Sequence, residues 1–144
     1  MNIKIAESDE ELARLSDVLL ELRPAFTKES LIAQIKAQQR DGYRVAYLED
    51  AGEVRCVAGF VIGKKLAWGQ HMYVDDLVTA ERHRSTGAGA RMMAWLKSYA
   101  LAQGCRQLHL DSGVQRFGAH RFYLRAGFNI GSHHFSITDL TAAR

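Results

Sequence analysis

The stretch from Met72 to Leu110 constrains the fold more than any other, because its pattern changes twice around a turn that contains glycine. The segment MYVDDLVT, residues 72–79, has the composition of a strand with an acidic pair in its middle. From Gly89 the apolar residues recur with helical spacing as far as Ala100, and RQLHL, residues 106–110, alternates like a further strand. Two strands joined by a helix in this way lie parallel in one sheet, so the chain needs a crossover connection.

The remaining segments predict short strands and helices on either side of this unit. NIKIA alternates like a strand, and the acidic run Ser8–Glu11 is typical of a helix start. A second helix is expected to begin near Thr27 or Ser30, and YRVAYLE and VRCVAGFVIG predict a hairpin. A short helix, AHRFYL, and two strands around FNI and HHFSITDL complete the order β-α-α-β-β-β-α-β-α-β-β. This order favours an α/β fold, with an α+β mixed sheet, in a single domain over residues 1–144.

The composition argues against several classes of protein. The net charge of +3 and pI of about 9.0 suit an anionic small ligand, but there is no lysine-rich tail, so no nucleic-acid partner is expected. No apolar run approaches the ~20 residues that span a bilayer, so no membrane partner is expected. Cys56 and Cys105 are too few for a disulfide framework, which favours a reducing cytoplasm. His133 and His134 would point apart on a strand, so no metal is expected.

The twelve residues RHRSTGAGARMM, Arg82 to Met93, join the central strand to the helix. A Rossmann turn requires GxGxxG; Met92 stands at the third glycine position, which weakens that interpretation although Asp111 follows at a plausible distance. A nucleotide P-loop requires GxxxxGK[ST], which the chain lacks. Two interpretations stay open on these residues. One is a plain glycine-containing loop, and the other is an anion site formed by Arg84 and the first N–H groups of the helix.

Two motifs in register resemble those of the GNAT superfamily of acetyl-CoA-dependent N-acetyltransferases. Arg84-x-x-Gly87-x-Gly89 follows a strand and opens a helix, as does the family's cofactor motif, [Q/R]-x-x-G-x-[G/A]. Downstream, AHRFYLRAGF is similar to the family's second signature, A-x-x-F-Y-x-x-x-G-F. The resemblance implies a GNAT-type fold, in which strands four and five splay around the cofactor, and acetyl-CoA as cosubstrate. The tail AHRFYLRAGFNIGSHHFSITDL also resembles that of the small aminoalkylphosphonate N-acetyltransferases.

The resemblance also implies roles for individual residues of the cofactor site. The family's pantetheine contacts correspond to Leu77, Val78 and Thr79. Its pyrophosphate loop corresponds to one continuous run: Arg84, Ser85, Thr86, Gly87, Ala88, Gly89 and Ala90.

On the second motif, Tyr123 fills the position of the tyrosine that protonates the departing thiolate, a step that suits a phenol. Ala119 and Phe122, in the same motif, correspond to cofactor contacts. Arg116 replaces an asparagine that is frequent in the family, so it is expected to reach a CoA phosphate or an acidic substrate.

An N-acetyltransferase must also deprotonate the acceptor ammonium before the amine attacks. Asp75 and Asp76 are the candidate catalytic carboxylates, and as neighbours on a strand they face opposite sides unless a bulge re-aims them. We favour Asp76, while Tyr73, His71 and a water molecule stay open as the base. By the resemblance, Tyr73 aligns with the cleft-facing carboxylate of the aminoalkylphosphonate subgroup. The oxyanion is expected to accept a hydrogen bond from the N–H of Val78.

The leading hypothesis is direct acetyl transfer to a primary amine of a small molecule, such as an aminophosphonate, amino acid or polyamine. The alternatives are acetylation of a protein or peptide amine, a non-catalytic acyl-CoA-binding module, and a nucleotide- or nucleic-acid-binding regulator. The resemblance places acceptor contacts at Leu22–Ser30 and Lys64–His71, where basic residues such as Arg23 and Lys65 would suit an acidic amine. Dimers are common in the family, so a homodimer is also considered.

Overall fold

A computed structural model describes residues 2–142 and divides them into two compact units, one ending at Leu110 and the other beginning at Asp111. Each unit is described separately, and the single domain over residues 1–144 stays a prediction. The elements are β1 (Asn2–Ile5), α1 (Asp9–Leu22), α2 (Lys28–Gln39), β2 (Tyr43–Asp50), β3 (Glu53–Lys65), β4 (Gly69–Thr79), α3 (Ala88–Ala102), β5 (Gln107–Leu110) and α4 (Phe117–Arg125). A 3₁₀ turn, Glu81–His83, lies between β4 and α3.

The five strands form one sheet in the order β1-β2-β3-β4-β5. The first four strands pair antiparallel with their neighbours, and β4 and β5 pair in parallel across the α3 connection. The predicted mixed sheet and its parallel crossover are therefore confirmed. No helix in the part of the chain that the structure describes is long and apolar enough to cross a membrane.

The first helix begins where the sequence places it, because Ser8 and Glu11 form a capping box. The Ser8 hydroxyl accepts a hydrogen bond from the Glu11 N–H, while the Glu11 carboxylate accepts one from the Ser8 N–H. The Tyr47 hydroxyl donates to the same carboxylate at 2.6 Å. That bond is the main reason why the pKa of Glu11 falls to about 2. The cap thus also joins α1 to strand β2.

Helices cover both faces of the sheet, as two adjacent residues of β3 show. Phe60 contacts the rings of Trp95 and Tyr99 on α3, whereas Val61 packs against the core under α1 and α2. Burying one such aliphatic or aromatic side chain contributes roughly 1.5–3 kcal/mol. The most deeply buried members of the core under α1 and α2 are Leu15, Leu19, Val45, Tyr47 and Val57.

The second unit contains α4 and an irregular segment after it. The two strands predicted around Phe128–Ile130 and His133–Leu140 are wrong, since the structure forms no strand between residues 111 and 142. Strand propensity is realised only where one face packs and a neighbour completes the ladder. Here the alternating apolar side chains Ile130, Phe135 and Ile137 remain at least 67% exposed. The predicted order holds from β1 to α4.

Candidate acetyl-CoA site

The turn before α3 leaves the first backbone donors of a long helix open. The helix cap is Gly87, whose φ of +88° is left-handed, and no side chain caps the helix. Ser85, with φ of +63°, adds a second left-handed residue, and Ala88 anchors the helix start because it is 1% exposed. The N–H groups of the first turn have no intrahelical partner, and the helix dipole makes this end positive. The turn can therefore bind an anion through the main chain.

Contacts on both sides hold this turn in place. The His83 ring lies 2.8 Å from the carboxylate of Glu53, at the start of β3, and the Thr86 hydroxyl donates to the His83 carbonyl at 2.6 Å. The Ala80 N–H donates to the carbonyl of Arg55 at 2.8 Å. These contacts fix the approach to α3 and leave the residues from Arg84 to Gly87 exposed. Of the predicted pyrophosphate residues, Ala88 is buried and Gly89 is half-buried.

Strand β4 continues beyond the point where its pairing with β5 ends. The parallel ladder ends at the pair Val74–Leu110, whereas β4 stays paired with β3 as far as Thr79. In this last part of β4, alternate backbone groups point away from β3, toward the side where β5 has ended. Leu77, Val78 and Thr79 lie there, so the three predicted pantetheine residues share one strand edge that leads directly to the α3 turn.

A β-bulge sets the directions of the two aspartates. Gly59 of β3 pairs with Asp76, and the next residue, Phe60, pairs with Val74, so Asp75 is an additional residue of β4. The bulge changes the alternation of side chains. Asp76 consequently lies on the face covered by α1 and α2, which is also the face of Tyr73. Asp75 is exposed.

Both carboxylate oxygens of Asp76 are engaged. One oxygen accepts from the Arg23 guanidinium, with Nε and a terminal nitrogen each at 2.8 Å, and the other accepts from the Tyr43 hydroxyl at 2.6 Å. Tyr43 reaches this position by passing over Gly59, where any Cβ would overlap its hydroxyl. Burial, together with the adjacent Asp76, raises the pKa of Tyr43, so the phenol stays protonated and donates. Asp76 therefore joins the end of α1 to β2 and β4.

The other two candidates for the base, His71 and Tyr73, lie nearer the start of β4. His71 is buried, and its Nδ1 lies 3.0 Å from the Gly69 carbonyl. The half-buried ring of Tyr73 lies parallel to that of Trp68, with the centroids 6.3 Å apart. The sequence predicted Trp68 only as one residue of the stretch Lys64–His71, and it did not predict Tyr43, which reaches the site through the register of β2.

The remaining predicted residues lie on or beside α4, in the second unit. Arg116 is the exposed N-cap of this helix, and Ala119 and Phe122 are half-buried. Tyr123 is 9% exposed, and its ring contacts those of Phe122 and Phe128 with centroid separations of 5.5 and 5.8 Å. The catalytic role of Tyr123 and the cofactor role of Arg116 stay predictions.

Comparisons with known proteins place the chain in a family. The acetyltransferase (GNAT) family matches residues 11–128. The Bacillus subtilis protein named "Uncharacterized N-acetyltransferase YhdJ" is 31% identical over 137 residues, which cover 94% of this chain and 96% of that relative. An aminoalkylphosphonate N-acetyltransferase of Salmonella typhimurium is 32% identical over 65 residues, which cover 45% of this chain and 41% of that relative.

Among solved structures, the aminoglycoside N-acetyltransferase AAC(6')-Iy in complex with CoA has a TM-score of 0.81 at 13% identity, covering 96% of this chain and 95% of that one. This likeness shows the fold. Together with the family match, it places the splayed β4 and the glycine turn in a known class of acyltransferase. The chain belongs to the acetyltransferase (GNAT) family. It is an acetyl-CoA-dependent N-acetyltransferase, as the two sequence motifs predicted.

Proposed function

We propose that this protein transfers the acetyl group of acetyl-CoA to the primary amine of a small molecule by direct attack. The observation that carries the proposal is the continuity of the edge of β4 with the turn that opens α3. An extended pantetheine arm would pair with backbone groups of Leu77–Thr79. The pyrophosphate would then accept hydrogen bonds from the first N–H groups of α3, next to Arg84. Each charge-assisted bond of this kind contributes ~1.5–3 kcal/mol.

In this proposal the acceptor amine approaches the bulge of β4. A carboxylate or a water molecule removes a proton from the ammonium, and the amine nitrogen then attacks the thioester carbon. Asp76 can accept a proton from the ammonium only if its hydrogen bonds to Arg23 and Tyr43 break, so we assign it a positioning role. Asp75, which the bulge exposes beside that ion pair, is the better candidate for the base.

The tetrahedral intermediate would place its negative oxygen at the N–H of Val78. Collapse breaks the carbon–sulfur bond, and Tyr123 gives its proton to the thiolate. The chain's two cysteines do not favour a covalent acetyl-enzyme. Cys56 is fully buried, and burial raises its pKa to about 11, so at neutral pH it is a thiol rather than a nucleophilic thiolate. Burial also raises the pKa of Cys105.

The names of the relatives support a small acceptor. One is an aminoalkylphosphonate N-acetyltransferase, and another, from Serratia marcescens, is an aminoglycoside N(6')-acetyltransferase that is 32% identical over 56 residues. We extend this substrate class, a small molecule with a primary amine, to this chain. The cytoplasmic location and the homodimer are part of the same proposal and need their own measurements.

The direct test is release of free thiol from acetyl-CoA in the presence of amino acids, polyamines, aminophosphonates, aminoglycosides and peptides. Gly87→Val adds a branched side chain where the pyrophosphate would approach, and it should weaken CoA binding at least tenfold in calorimetry. Gly42→Val is the matched control, because Gly42 is also left-handed, with φ of +100°, and lies in the turn before β2. Equal CoA affinity in both variants would remove the cofactor site from this turn. Thiol release with peptides alone would contradict the small acceptor.

A further inference from the structure

A layered cluster of rings lies on the sheet beside the bulge. Trp68 stacks on His109, with centroids 3.5 Å apart and an interplanar angle of 11°, and it is nearly parallel to Tyr73. The buried His71 meets the Trp68 ring edge-on at 5.0 Å. The ammonium of Lys65 lies 4.1 Å from the centroid of Trp68 and 6.0 Å from that of Tyr73. The rings therefore hold one cation by cation–π attraction.

The strand registers place this cluster one step from the ion pair of Asp76. Tyr73 pairs with Val61 on one side and with His109 on the other, and Val61 also pairs with Tyr43. The hydroxyl of Tyr43 then reaches Asp76 at 2.6 Å. At ~3.3 Å of rise for each residue, Tyr73 and Asp76 are roughly 7–10 Å apart along β4. Both lie on the face covered by α1 and α2, so one small molecule could reach both ends.

Charge is distributed unevenly along this surface. Between Arg55 and Val74 the sequence contains lysines at positions 64 and 65 but no aspartate or glutamate. The next two residues of β4 are Asp75 and Asp76. Of the two lysines, Lys65 shares the face of Tyr73 and Asp76, so this face is basic at the end of the β3–β4 hairpin and acidic at the bulge, which suits a ligand that carries both charges.

Lys65 lies where its ammonium can bind an acid group at the basic end of this surface. Ordering a lysine side chain costs up to ~2 kcal/mol in rotamer entropy, and the contacts with Trp68 and Tyr73 offset part of that cost before a ligand arrives. An ammonium over an aromatic face still directs its N–H donors outward, toward carboxylate or phosphonate oxygens. Lys65 is exposed, so a ligand can reach it.

We propose that Lys65, held on the Trp68 ring, binds the acid group of a zwitterionic acceptor whose amine lies toward Asp75. The inference rests on the proposed function and specifies its substrate class as small amines with a carboxylate or phosphonate a few carbons away. Trp68 is a positioning residue that acts through Lys65.

The test compares acceptors that differ only in the acid group: 2-aminoethylphosphonate and β-alanine against ethylamine. Lys65→Met keeps an unbranched chain as far as the ε position and removes the charged ammonium. It should raise the KM for both acids at least tenfold, and leave kcat and the KM for ethylamine within twofold. Lys65→Arg should restore most of the affinity. Lys4→Met is the matched control, because Lys4 is an exposed lysine on β1, three strands away from β4 in the sheet, and it should leave the KM of both acids unchanged.

A binding measurement separates this inference from the proposed function. Quenching of Trp68 fluorescence by 2-aminoethylphosphonate, corrected with Trp68→Phe, reports binding without turnover. Quenching that depends on Lys65, with no thiol released, would refute the proposed reaction and support the acid site. Turnover of ethylamine with no preference for the acids would refute the acid site alone. In the wild type, a KM for 1,3-diaminopropane lower than that for 2-aminoethylphosphonate would also refute it, because an ammonium held at the basic end would repel the second ammonium of the diamine.

Discussion

Gly59→Ala should be among the most destabilising single substitutions in the sheet, although it adds only one methyl group. The backbone of Gly59 does not require glycine, since its φ lies outside the left-handed region. The difficulty is the Tyr43 ring, because a Cβ on Gly59 would overlap the hydroxyl and lie 2.8 Å from Cε1. Tyr43 is only 4% exposed, so the ring has little room to move.

Two contributions set the size of the effect. Forcing a methyl group into a packed site costs about 1–3 kcal/mol. Moving the ring also breaks the bond of 2.6 Å from Tyr43 to the Asp76 carboxylate, and a hydrogen bond to a charged group contributes about 1.5–3 kcal/mol. The sum, about 2.5–6 kcal/mol, is a large part of the 5–15 kcal/mol that stabilises a typical domain. With an m-value of about 2 kcal/mol/M, the urea midpoint should fall by roughly 2 M.

The assay is urea unfolding of four proteins: the wild type, Gly59→Ala, Tyr43→Leu and the double variant. Leucine lacks the hydroxyl and the para carbon, so the added methyl group should cost under about 1 kcal/mol in the Tyr43→Leu background. A coupling energy of at least about 1.5 kcal/mol is therefore expected between the two sites. If Gly59→Ala costs the same in both backgrounds within about 0.5 kcal/mol, the reasoning from ring contact is wrong.

Three further predictions concern the catalytic groups and the first helix. Tyr123→Phe should lower kcat about 100-fold while the Kd for CoA stays within twofold, and unchanged turnover would exclude the acid role. Asp76→Asn should lower the urea midpoint, whereas Asp75→Asn should leave the midpoint unchanged. Asp75→Asn should instead lower kcat, and a higher pH should restore part of kcat because more of the amine is then already deprotonated. The reverse pattern would make Asp76 the base. The pKa of Glu11, about 2 in the folded protein against 4.5 ordinarily, stabilises the fold above pH 4.5. That contribution is lost as the pH falls toward 2, so the stability difference between wild type and Glu11→Gln should shrink between pH 7 and pH 3 in urea unfolding.

Much of the fold could be predicted because its signals are local. The capping residue Ser8 and the acids after it mark the start of α1, and Pro24 follows its C-cap, Arg23. The turn at Gly87 marks the start of α3 to within one residue of the prediction. The prediction of the two final strands was wrong because strand formation does not depend on local signals alone. An alternating pattern such as that around Phe135 specifies a strand only when a neighbouring strand and a packed face complete it.

The candidate site likewise has one part that the sequence reveals and another part that it does not. The pyrophosphate turn is a run of consecutive residues from Arg84 to Ala90, so a motif can reveal it. The surroundings of Asp76 depend instead on residues from three separate elements, Arg23, Tyr43 and Gly59. These residues come into contact only in the folded sheet, through a strand register that cannot be read from the sequence.

The bulge at Asp75 connects the chemistry of the bond-forming step with the selection of the acceptor. With regular alternation over the same residues, Asp75 rather than Asp76 would share the face of Tyr73. The bulge instead turns Asp76 to that face, where it contacts Arg23 and Tyr43, and makes Asp75 the additional, exposed carboxylate. One face presents the exposed Lys65 ammonium, 6.0 Å from the Tyr73 ring centroid, and the Asp76 carboxylate, whose residue lies roughly 7–10 Å from Tyr73 along β4. In the proposal, a short amino acid or aminophosphonate directs its acid group to Lys65 and its amine toward Asp75. Deleting Asp75 removes the proposed base but leaves Asp76 opposite Gly59, so it should lower the turnover of acidic and neutral amines alike, whereas Lys65→Met should abolish the preference for acidic amines alone.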